Sequence, residues 1–297
     1  MKQLTVISGK GGTGKTSITA AFAALAHNHV IADCDVDAAD LHLILDPVIR
    51  KEEPFFGGRL PVLDRDICDE CGICADQCRF DAIHAFTIDP IACEGCGVCA
   101  HVCPRKAIIM EETQNGHWFR SDTRFGPLIH ARLGIAAENS GKLVTLVREQ
   151  ARLASETDKK DLIIIDGPPG IGCPVIAAIA GVDLVLVVTE PTLSGIHDLE
   201  RVLGVARHFA VPALVCINKA DINPDNTATI RTYCKRNHLG IAGEIPFDPA
   251  VTKAMVAGQS IIEYNDSFVS EGVKQMWNRI MASLQDKSPD NPSVKIP

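Results

Sequence analysis

Residues 2–17 read KQLTVISGKGGTGKTS and decide the fold. Lys2–Ser8 has the character of a short strand, a glycine-rich loop follows, and an alanine-rich segment to about His27 has helical character. The loop fits the pattern GxxxxGK[ST] in the context of strand, loop and helix. Glycines in such a loop let backbone N–H groups surround phosphate oxygens at the N-terminus of the helix. The predicted phosphate-binding residues are Gly9, Lys10, Gly11, Gly12, Thr13, Gly14, Lys15, Thr16 and Ser17.

Outward from this loop, apolar runs with strand character alternate with segments of helical periodicity. Such alternation predicts an α/β fold, in which a parallel sheet is covered by helices on both faces. Ligands bind such sheets at the carboxyl ends of the strands, so residues that directly follow a strand are candidates for chemistry. We expect strands over 3–8, 29–33, 161–166, 183–189, 212–217 and 241–245, and helices over 16–27, 141–156, 174–180, 195–210, 225–237, 249–257 and 267–284.

The composition of the chain excludes several classes of function. Its 297 residues include 29 Lys and Arg against 37 Asp and Glu, which gives a net charge of −8. Phosphate backbones are bound by basic faces, so this balance argues against nucleic acid as a partner. No apolar run approaches the ~20 residues that span a bilayer, and the N-terminal stretch does not have the pattern of a signal peptide. We therefore expect a cytoplasmic protein with neither a nucleic-acid nor a membrane partner.

Cysteine is the unusual component of the sequence. Of 12 cysteines, eight lie between Cys68 and Cys103. They form two runs of the pattern C-x2-C-x2-C-x3-C, and the second run repeats the first at an offset of 25 residues. Glycine, alanine and isoleucine residues match at the same offset, which indicates an internal duplication. A cytosolic chain does not gather thiols for disulfides, so metal or redox chemistry is indicated.

The spacing favours iron–sulfur clusters over zinc. Two-residue gaps let three thiolates from one loop face one cluster, and the fourth cysteine of each run ligates the cluster of the other run. Zinc usually takes paired C-x2-C knuckles and is the alternative. We therefore predict two [4Fe–4S] clusters. The predicted ligands are Cys68, Cys71, Cys74 and Cys103 for cluster 1, and Cys93, Cys96, Cys99 and Cys78 for cluster 2.

Two family resemblances rest on these motifs. The cysteine segment resembles a bacterial-type two-cluster ferredoxin, except that Arg79 stands where proline usually follows the last cysteine of a run. The glycine loop, GKGGTGKT at 9–16, carries a second lysine and resembles the deviant-Walker-A ATPases of the MinD/Mrp/nitrogenase-iron-protein superfamily. That resemblance implies an ATP-dependent homodimer in which Lys10 reaches the nucleotide of the other subunit. Lys15 would meet the β- and γ-phosphates and Thr16 would hold Mg²⁺.

Further motifs fall in the order of that superfamily. Asp35 closes the run VIADCD at 30–35 and looks like the switch I aspartate that positions the attacking water. The sequence leaves Asp33 open for the same role. Asp166, within LIIIDGPPG at 162–170, looks like the Walker B acid that holds a Mg²⁺-bound water, and Gly170 would lend its N–H to the γ-phosphate. The resemblance thus implies catalysis by Lys10, Lys15, Asp35 and Asp166.

The base-binding residues come from two later runs. Asn218, within the run VCINKAD at 215–221, matches the adenine-binding asparagine of the superfamily, and Pro246 and Asp248 look like its second base-contacting loop. The pattern NKxD also resembles the guanine-reading motif of GTPases. ATP is therefore the expected nucleotide, and GTP stays open.

The whole chain resembles a P-loop ATPase with an inserted ferredoxin domain. We expect ATPase segments at 1–58 and 113–285, the insert at 59–112 and a disordered tail at 286–297. Because the insert lies between the two switches, the expected function is to couple nucleotide state to electron transfer from the clusters to a partner metalloenzyme, or to activation of that enzyme.

Two alternatives remain open at this stage. The first is an Fe–S assembly or carrier ATPase, although the C-x2-C pair of such carriers does not occur after Cys103. The second concerns Cys173, which stands where the nitrogenase iron protein has a cluster ligand. It is read either as a ligand of a further cluster or as a structural thiol.

Overall fold

The computed structural model describes residues 1–134 and 141–286. They divide into two compact units. The first unit comprises Met1–Glu52, Trp118–Arg132 and the described chain from Gly141 onward, and the second comprises Glu53–His117 with a short segment that begins at Leu133. The tail that we expect to be disordered falls, from residue 287 on, outside the described residues.

Six of the eleven strands in the described residues follow the apolar runs predicted from the sequence, and the other five lie between residues 48 and 133. The two longest strands, each of 16 residues, were not expected. The first of these contains Pro54, Gly57, Gly58 and Pro61, and it persists because it lies at the edge of its sheet, where proline is tolerated. The strands are β1 Lys2–Ser8, β2 His29–Asp33, β3 Val48–Leu63, β4 Ile83–His84, β5 Thr87–Ile88, β6 Ile108–Thr123, β7 Gly126–Leu133, β8 Leu162–Pro169, β9 Leu184–Thr189, β10 Ala213–Asn218 and β11 Gly240–Ile245.

The long helices begin and end within about two residues of the predicted bounds. Polar side chains cap several of them, as when the Thr192 hydroxyl accepts a hydrogen bond from the Gly195 N–H. The helices are α1 Lys15–Leu25, α2 Leu41–Leu45, α3 Ile73–Asp76, α4 Val98–Val102, α5 Lys142–Thr157, α6 Cys173–Ile179, α7 Leu193–His208, α8 Pro224–Arg236, α9 Pro249–Val256, α10 Ile261–Tyr264 and α11 Phe268–Gln285.

The main sheet has nine strands in the order β11-β10-β9-β1-β8-β2-β7-β6-β3. From β11 to β7 every neighbouring pair is parallel, so the prediction of a parallel α/β sheet is confirmed. β1 is flanked by β8 and β9, which follow it by more than 150 residues. The carboxyl ends of these strands therefore meet at the loop that follows β1, where such folds bind ligands.

Helix α1 contributes to two apolar clusters in the core of the first unit. In the first cluster, α1 and α11 pack together through Phe22 and Trp277, whose ring centroids are 5.0 Å apart. Leucine, isoleucine and valine side chains of β1, β8, β9 and β10 complete that cluster. Ile31 of strand β2 packs with Leu41 and Leu128 in a second cluster. Burial of α1 between these groups fixes the position of the glycine loop that precedes it.

The second unit repeats its backbone conformation at the offset of the cysteine runs. Gly72 and Gly97 both have positive φ, at 80° and 76°, and each precedes a short helix, α3 or α4. Glu70 and Gly95 also have positive φ, as do Asp81 and Lys106, so three pairs of such residues are 25 positions apart. The duplication read from the sequence is therefore also present in the backbone of the described residues.

Candidate functional site

The glycine loop between β1 and α1 has the backbone conformation that its glycines permit. Gly12 and Gly14 have φ of 79° and 91°, a region that side chains disfavour. A Cβ on Gly14 would overlap the Asn218 amide nitrogen. The Asn218 amide donates to the Thr13 carbonyl at 2.8 Å, so β10 braces the loop directly. The buried Thr13 hydroxyl has no hydrogen-bond partner among the described residues. A polar atom left without a partner in this loop fits a phosphate-binding role.

A cavity of about 350 Å³ lies beside this loop. Its apolar wall is formed by α1, α9, α10 and α11, through side chains such as Ile18, Val251, Ile261 and Val269. The predicted site residues that line it are Gly11, Gly12, Gly14, Lys15, Thr16, Ser17, Asp35, Asn218, Pro246 and Asp248. A largely apolar cleft that meets a glycine loop can accept a base at one end and phosphates at the other.

Lys15 is buried among carboxylates. Its ammonium nitrogen is 2.8 Å from Asp35 Oδ2 and 4.0 Å from Asp166 Oδ1. Burial lowers the pKa of Lys15, but the carboxylates of Asp166 and Asp35 outweigh this and the net effect raises it. Lys15 is therefore a fixed positive charge, and an incoming phosphate must compete with Asp35 for it.

Asp166 lies in β8 and accepts two hydroxyl hydrogen bonds from α1. Thr16 donates to Oδ2 at 2.8 Å and Thr19 donates to Oδ1 at 2.9 Å. A threonine hydroxyl and a carboxylate placed together offer oxygen atoms, which Mg²⁺ prefers as ligands. The pair predicted to hold Mg²⁺ is thus brought together by β8 and α1.

Asp33 is next to this pair but does not line the cavity. It faces Asp166 in the register of β2 and β8, and it is fully buried. Burial, together with the carboxylates of Asp166 and Asp35, raises its pKa well above the usual range. Its Oδ1 accepts a hydrogen bond from the Asp35 N–H at 3.2 Å. Asp35 lines the cavity and contacts Lys15, so it is better placed than Asp33 to act on a ligand.

Lys10 does not line the cavity. Its ammonium is 2.5 Å from Glu190 Oε1 and also contacts the hydroxyls of Ser194 and Thr192 at 3.1 and 3.3 Å. Lys219 binds the other oxygen of Glu190 at 3.1 Å and the Gly12 carbonyl at 3.2 Å. Sequence reasoning missed Glu190 and Lys219. Glu190 could have been found from its position in the sequence, because it directly follows the run that forms β9.

Asp166 and three further predicted residues do not line the cavity. Gly9 packs so closely on Asp198 that a Cβ there would overlap it. Thr13 is buried in the loop, as described above. Gly170 follows β8 with φ of 95° and donates its N–H to the Ser8 carbonyl at 2.9 Å. Gly170 is thus tied to the end of β1 through its own N–H.

The eight cysteines of the second unit line two small cavities in sets of four. One cavity is lined by Cys68, Cys71, Cys74 and Cys103 and the other by Cys78, Cys93, Cys96 and Cys99. Each cavity thus takes three thiols from one run and the fourth from the other run. All eight thiols are free of disulfides. Among residues 1–134 and 141–286, no group of three or more His, Cys, Asp or Glu side chains, these cysteines included, is placed to hold a single metal ion.

Backbone N–H groups point at three of the cysteine sulfurs. Ala82 donates to Cys78 at 3.4 Å and Ala107 donates to Cys103 at 3.3 Å, again 25 residues apart. Gly95 donates to Cys93 at 3.5 Å. Hydrogen bonds to sulfur stabilise thiolates and tune the potentials of iron–sulfur clusters. The donor set of four thiols per cavity fits the ligand requirement of a [4Fe–4S] cluster.

The remaining four cysteines do not line these cavities. Cys34, Cys216 and Cys234 are buried, and burial raises the pKa of each thiol, to about 12 for Cys216 and about 11 for Cys234. Cys173 is exposed at the first residue of α6. Among the helices in the described part of the chain, none is both long and apolar enough to cross a membrane.

Comparison with known proteins gives the family. Residues 4–261 match the profile of the CobQ/CobB/MinD/ParA nucleotide binding domain. The chain belongs to this family. It is an ATPase of the MinD/ParA type, in agreement with its glycine loop and parallel sheet.

Relatives of the MinD/ParA chain fall into three kinds. An uncharacterised protein of Methanocaldococcus jannaschii is 36% identical over 94% of this chain and 96% of its own length. The iron-sulfur cluster carrier protein of Pyrococcus abyssi is 23% identical over 97% of this chain and 88% of its own length. The septum site-determining protein MinD of Pyrococcus horikoshii, solved with Mg-ADP, superposes with a TM-score of 0.58 at 18% identity, covering 97% of this chain and 99% of that structure. That likeness establishes the shared fold.

Proposed function

We propose that this ATPase is an iron–sulfur protein that couples its nucleotide state to electron transfer from two [4Fe–4S] clusters to a partner metalloenzyme, or to activation of that enzyme. The observation that carries the proposal is the arrangement of the eight cysteine thiols into two sets of four, each shared between the two runs. A plain ATPase has no use for such sets.

The second unit would be the ferredoxin-like domain. Cluster 1 would be held by Cys68, Cys71, Cys74 and Cys103, and cluster 2 by Cys93, Cys96, Cys99 and Cys78. When bound, each cluster would supply a one-electron redox couple. The N–H groups of Ala82 and Ala107 would then stabilise the charge on one ligand sulfur of each cluster.

The nucleotide would be ATP, bound in the cavity beside the glycine loop. The loop N–H groups and Lys15 would bind the phosphates, and the Thr16 hydroxyl and the Asp166 carboxylate would hold Mg²⁺, Asp166 through a water. Asp35 would orient the attacking water once Lys15 has turned from it to phosphate. Asn218, Pro246 and Asp248 would contact the base.

ATP would also join two chains into a homodimer. Lys10 would contribute to the nucleotide site of the other subunit, so the bond that now holds it to Glu190 would have to break. Dimer formation would then be the step that responds to the bound nucleotide. In that step Lys10 would exchange Glu190 for the phosphates of the other subunit's nucleotide.

The proposal is tested by an anaerobic EPR redox titration of the full-length protein, with and without a non-hydrolysable Mg-ATP analogue. By linkage, a nucleotide that binds one redox state tenfold more tightly shifts a one-electron potential by about 59 mV. We expect a shift of at least this size in one cluster. Two unshifted potentials would contradict direct gating of electron transfer.

A second candidate is an ATPase that assembles or carries Fe–S clusters. It is favoured by the likeness to the carrier proteins of Pyrococcus abyssi and Pyrococcus horikoshii, at 23% and 22% identity. Incubation of the loaded protein with an apo-ferredoxin distinguishes the two. Retention of both clusters contradicts the carrier, whereas ATP-dependent transfer contradicts the electron donor.

A further inference from the structure

The run Asn218-Lys219-Ala220-Asp221 poses a question that the sequence leaves open. In a guanine-reading motif of this form, the final carboxylate must face the base and accept from its N1–H and 2-amino groups. An adenine base offers neither group to a carboxylate in that way. Which group the Asp221 carboxylate binds is therefore relevant to which nucleotide the chain uses.

The first two polar residues of the run are turned towards the glycine loop. Asn218 donates to the Thr13 carbonyl at 2.8 Å. Lys219 donates to the Gly12 carbonyl at 3.2 Å and pairs with Glu190 at 3.1 Å. Both residues line the cavity. They act as braces between β9, β10 and the glycine loop.

Asp221 is engaged elsewhere. It does not line the cavity, whereas the neighbouring loop at 246–248 does. Its Oδ1 accepts a hydrogen bond from the Phe247 N–H at 2.6 Å. The Ala220 N–H also donates to the Ile245 carbonyl at 2.9 Å. Two bonds therefore hold the end of β11 and the loop after it to the residues that follow β10. One of them uses the carboxylate that a guanine reader would need.

The other carboxylate of this loop is also occupied. Asp248 Oδ1 accepts from the Ala250 N–H at 2.8 Å and caps α9. The wall that continues from the loop is apolar and includes Val251, Met255 and Ile261. A purine bound there meets apolar side chains and backbone groups, which suits adenine better than guanine.

We propose that Asp221 is a positioning residue for an adenine subsite, in which its carboxylate holds the loop at 246–248 in place through the Phe247 N–H. The inference rests on the proposed function, since it names a residue that positions the loop against the base of that nucleotide. It adds that the NKxD run in this chain holds the loop at 246–248 and the glycine loop in place. It does not read guanine.

Binding measurements on the full chain test this. Calorimetric titration compares Mg²⁺ complexes of non-hydrolysable ATP, GTP and XTP analogues. The wild type should bind the adenine analogue at least about tenfold more tightly than the guanine analogue. Asp221→Ala removes the acceptor and should weaken adenine binding on the order of tenfold, since a hydrogen bond to a charged group is lost.

Asp221→Asn separates positioning from reading. Its amide oxygen can still accept from the Phe247 N–H, so adenine affinity should stay within about threefold of the wild type. A guanine-reading aspartate behaves differently, because an amide there offers a donor to the 2-oxygen of xanthine. Asp225→Ala is the matched control, because it removes a nearby exposed carboxylate at the start of α8 without touching the base loop, and should leave binding unchanged.

Three results would overturn the inference. These are a guanine preference in the wild type, a gain of xanthine binding in Asp221→Asn, and unchanged adenine binding in Asp221→Ala. They leave the proposed coupling to the clusters untouched, since the redox titration tests that coupling independently of the base. Adenine preference without any redox shift would instead contradict the proposed function and leave this inference standing.

Discussion

The ammonium of Lys10 is 2.5 Å from the Glu190 carboxylate of its own chain. The contact joins the second residue of the glycine loop to the residue that directly follows β9, 180 positions later. Burial opposes ionisation of Glu190, but hydrogen bonds from Lys10 and Lys219 outweigh it and lower its pKa. The lysine that we propose serves a second subunit is thus held within its own subunit by a charged acceptor.

Replacement of this acceptor should ease dimer formation. A partly buried ion pair contributes on the order of 1 kcal/mol, so Glu190→Gln should lower the concentration of ATP analogue needed for half-dimerisation about fivefold. Sedimentation velocity measures this directly. Ser194→Ala, which removes only a neutral bond to Lys10 at 3.1 Å, is the control and should shift the midpoint less. An unchanged or raised midpoint in Glu190→Gln would show that the pair does not restrain Lys10.

Paired cysteine variants should reveal the shared ligand sets. Cys68→Ser with Cys103→Ser damages one set only, so about four of eight irons should remain per chain. Cys68→Ser with Cys78→Ser damages both sets and should remove both clusters, although these two cysteines belong to one run. Iron and sulfide analysis after anaerobic reconstitution gives the counts.

The reverse pattern would mean that each run binds its own cluster. In that case the Cys68 and Cys78 pair would retain half of the iron and the Cys68 and Cys103 pair would retain none. Cys234→Ala is a suitable control, because this buried thiol of α8 lies in the first unit, and its loss should leave the iron content unchanged.

Gly14→Ala should destabilise the chain even before any nucleotide is added. The new Cβ would require φ of 91° and would overlap the Asn218 amide. Strain of this kind costs about 1–3 kcal/mol, which should lower the Tm by roughly 2–6 °C. Gly11→Ala is the matched control, because a Cβ at Gly11 has no atom within 4 Å. Equal Tm values for the two variants would contradict the brace between β10 and the loop.

His29 should make the first unit sensitive to acid. It is 2% exposed, and both ring nitrogens have no partner among the described residues. Burial, then Lys160 and His27, lowers its pKa to about 4. An unfolded histidine has a pKa near 6.5, so at acid pH the unfolded chain binds a proton that the folded chain does not. The free energy of unfolding is therefore undiminished above pH ~6.5 and falls as the pH drops towards 4, by about 2 kcal/mol at pH 5.

His29→Leu should remove that loss. The quantity to compare is the Tm of His29→Leu minus the Tm of the wild type. This difference should be several degrees larger at pH 5 than at pH 7.5. Differential scanning fluorimetry on matched samples gives the Tm values. Effects of acid on the second unit are common to both proteins and cancel in the comparison. The exposed His27→Leu should show a much smaller dependence. Parallel Tm curves for His29→Leu and wild type would exclude His29 as the source.

Much of the nucleotide site could be predicted because its residues directly follow strands of a parallel sheet. Lys15, Asp35 and Asn218 reach one cavity from three different loops, as the alternation of strands and helices requires. The long strand β3 could not be predicted, because Pro54 and Gly57 interrupt the strand pattern. Asn115 compensates there, since its side-chain oxygen accepts from the Gly57 and Gly58 N–H groups.

The charged contacts around the site could not be predicted either. The Lys10 to Glu190 and Asp221 to Phe247 bonds join residues that are far apart in sequence, and nothing local in the pattern distinguishes them from solvated side chains. Motifs specify where a functional residue lies along the chain, whereas its partner depends on how separate strand ends converge in space.

The exchange of one cysteine between the two runs has a consequence for synthesis of the protein. As the chain leaves the ribosome, the first run alone can complete neither set of four thiols. The set that contains Cys78 is complete only when Cys99 has emerged, and the other waits for Cys103. The four cysteines of the first run would therefore be exposed to wrong metals and to oxidants until almost the whole unit has been made. Insertion of both clusters would then occur within a few residues of elongation, close to a single event.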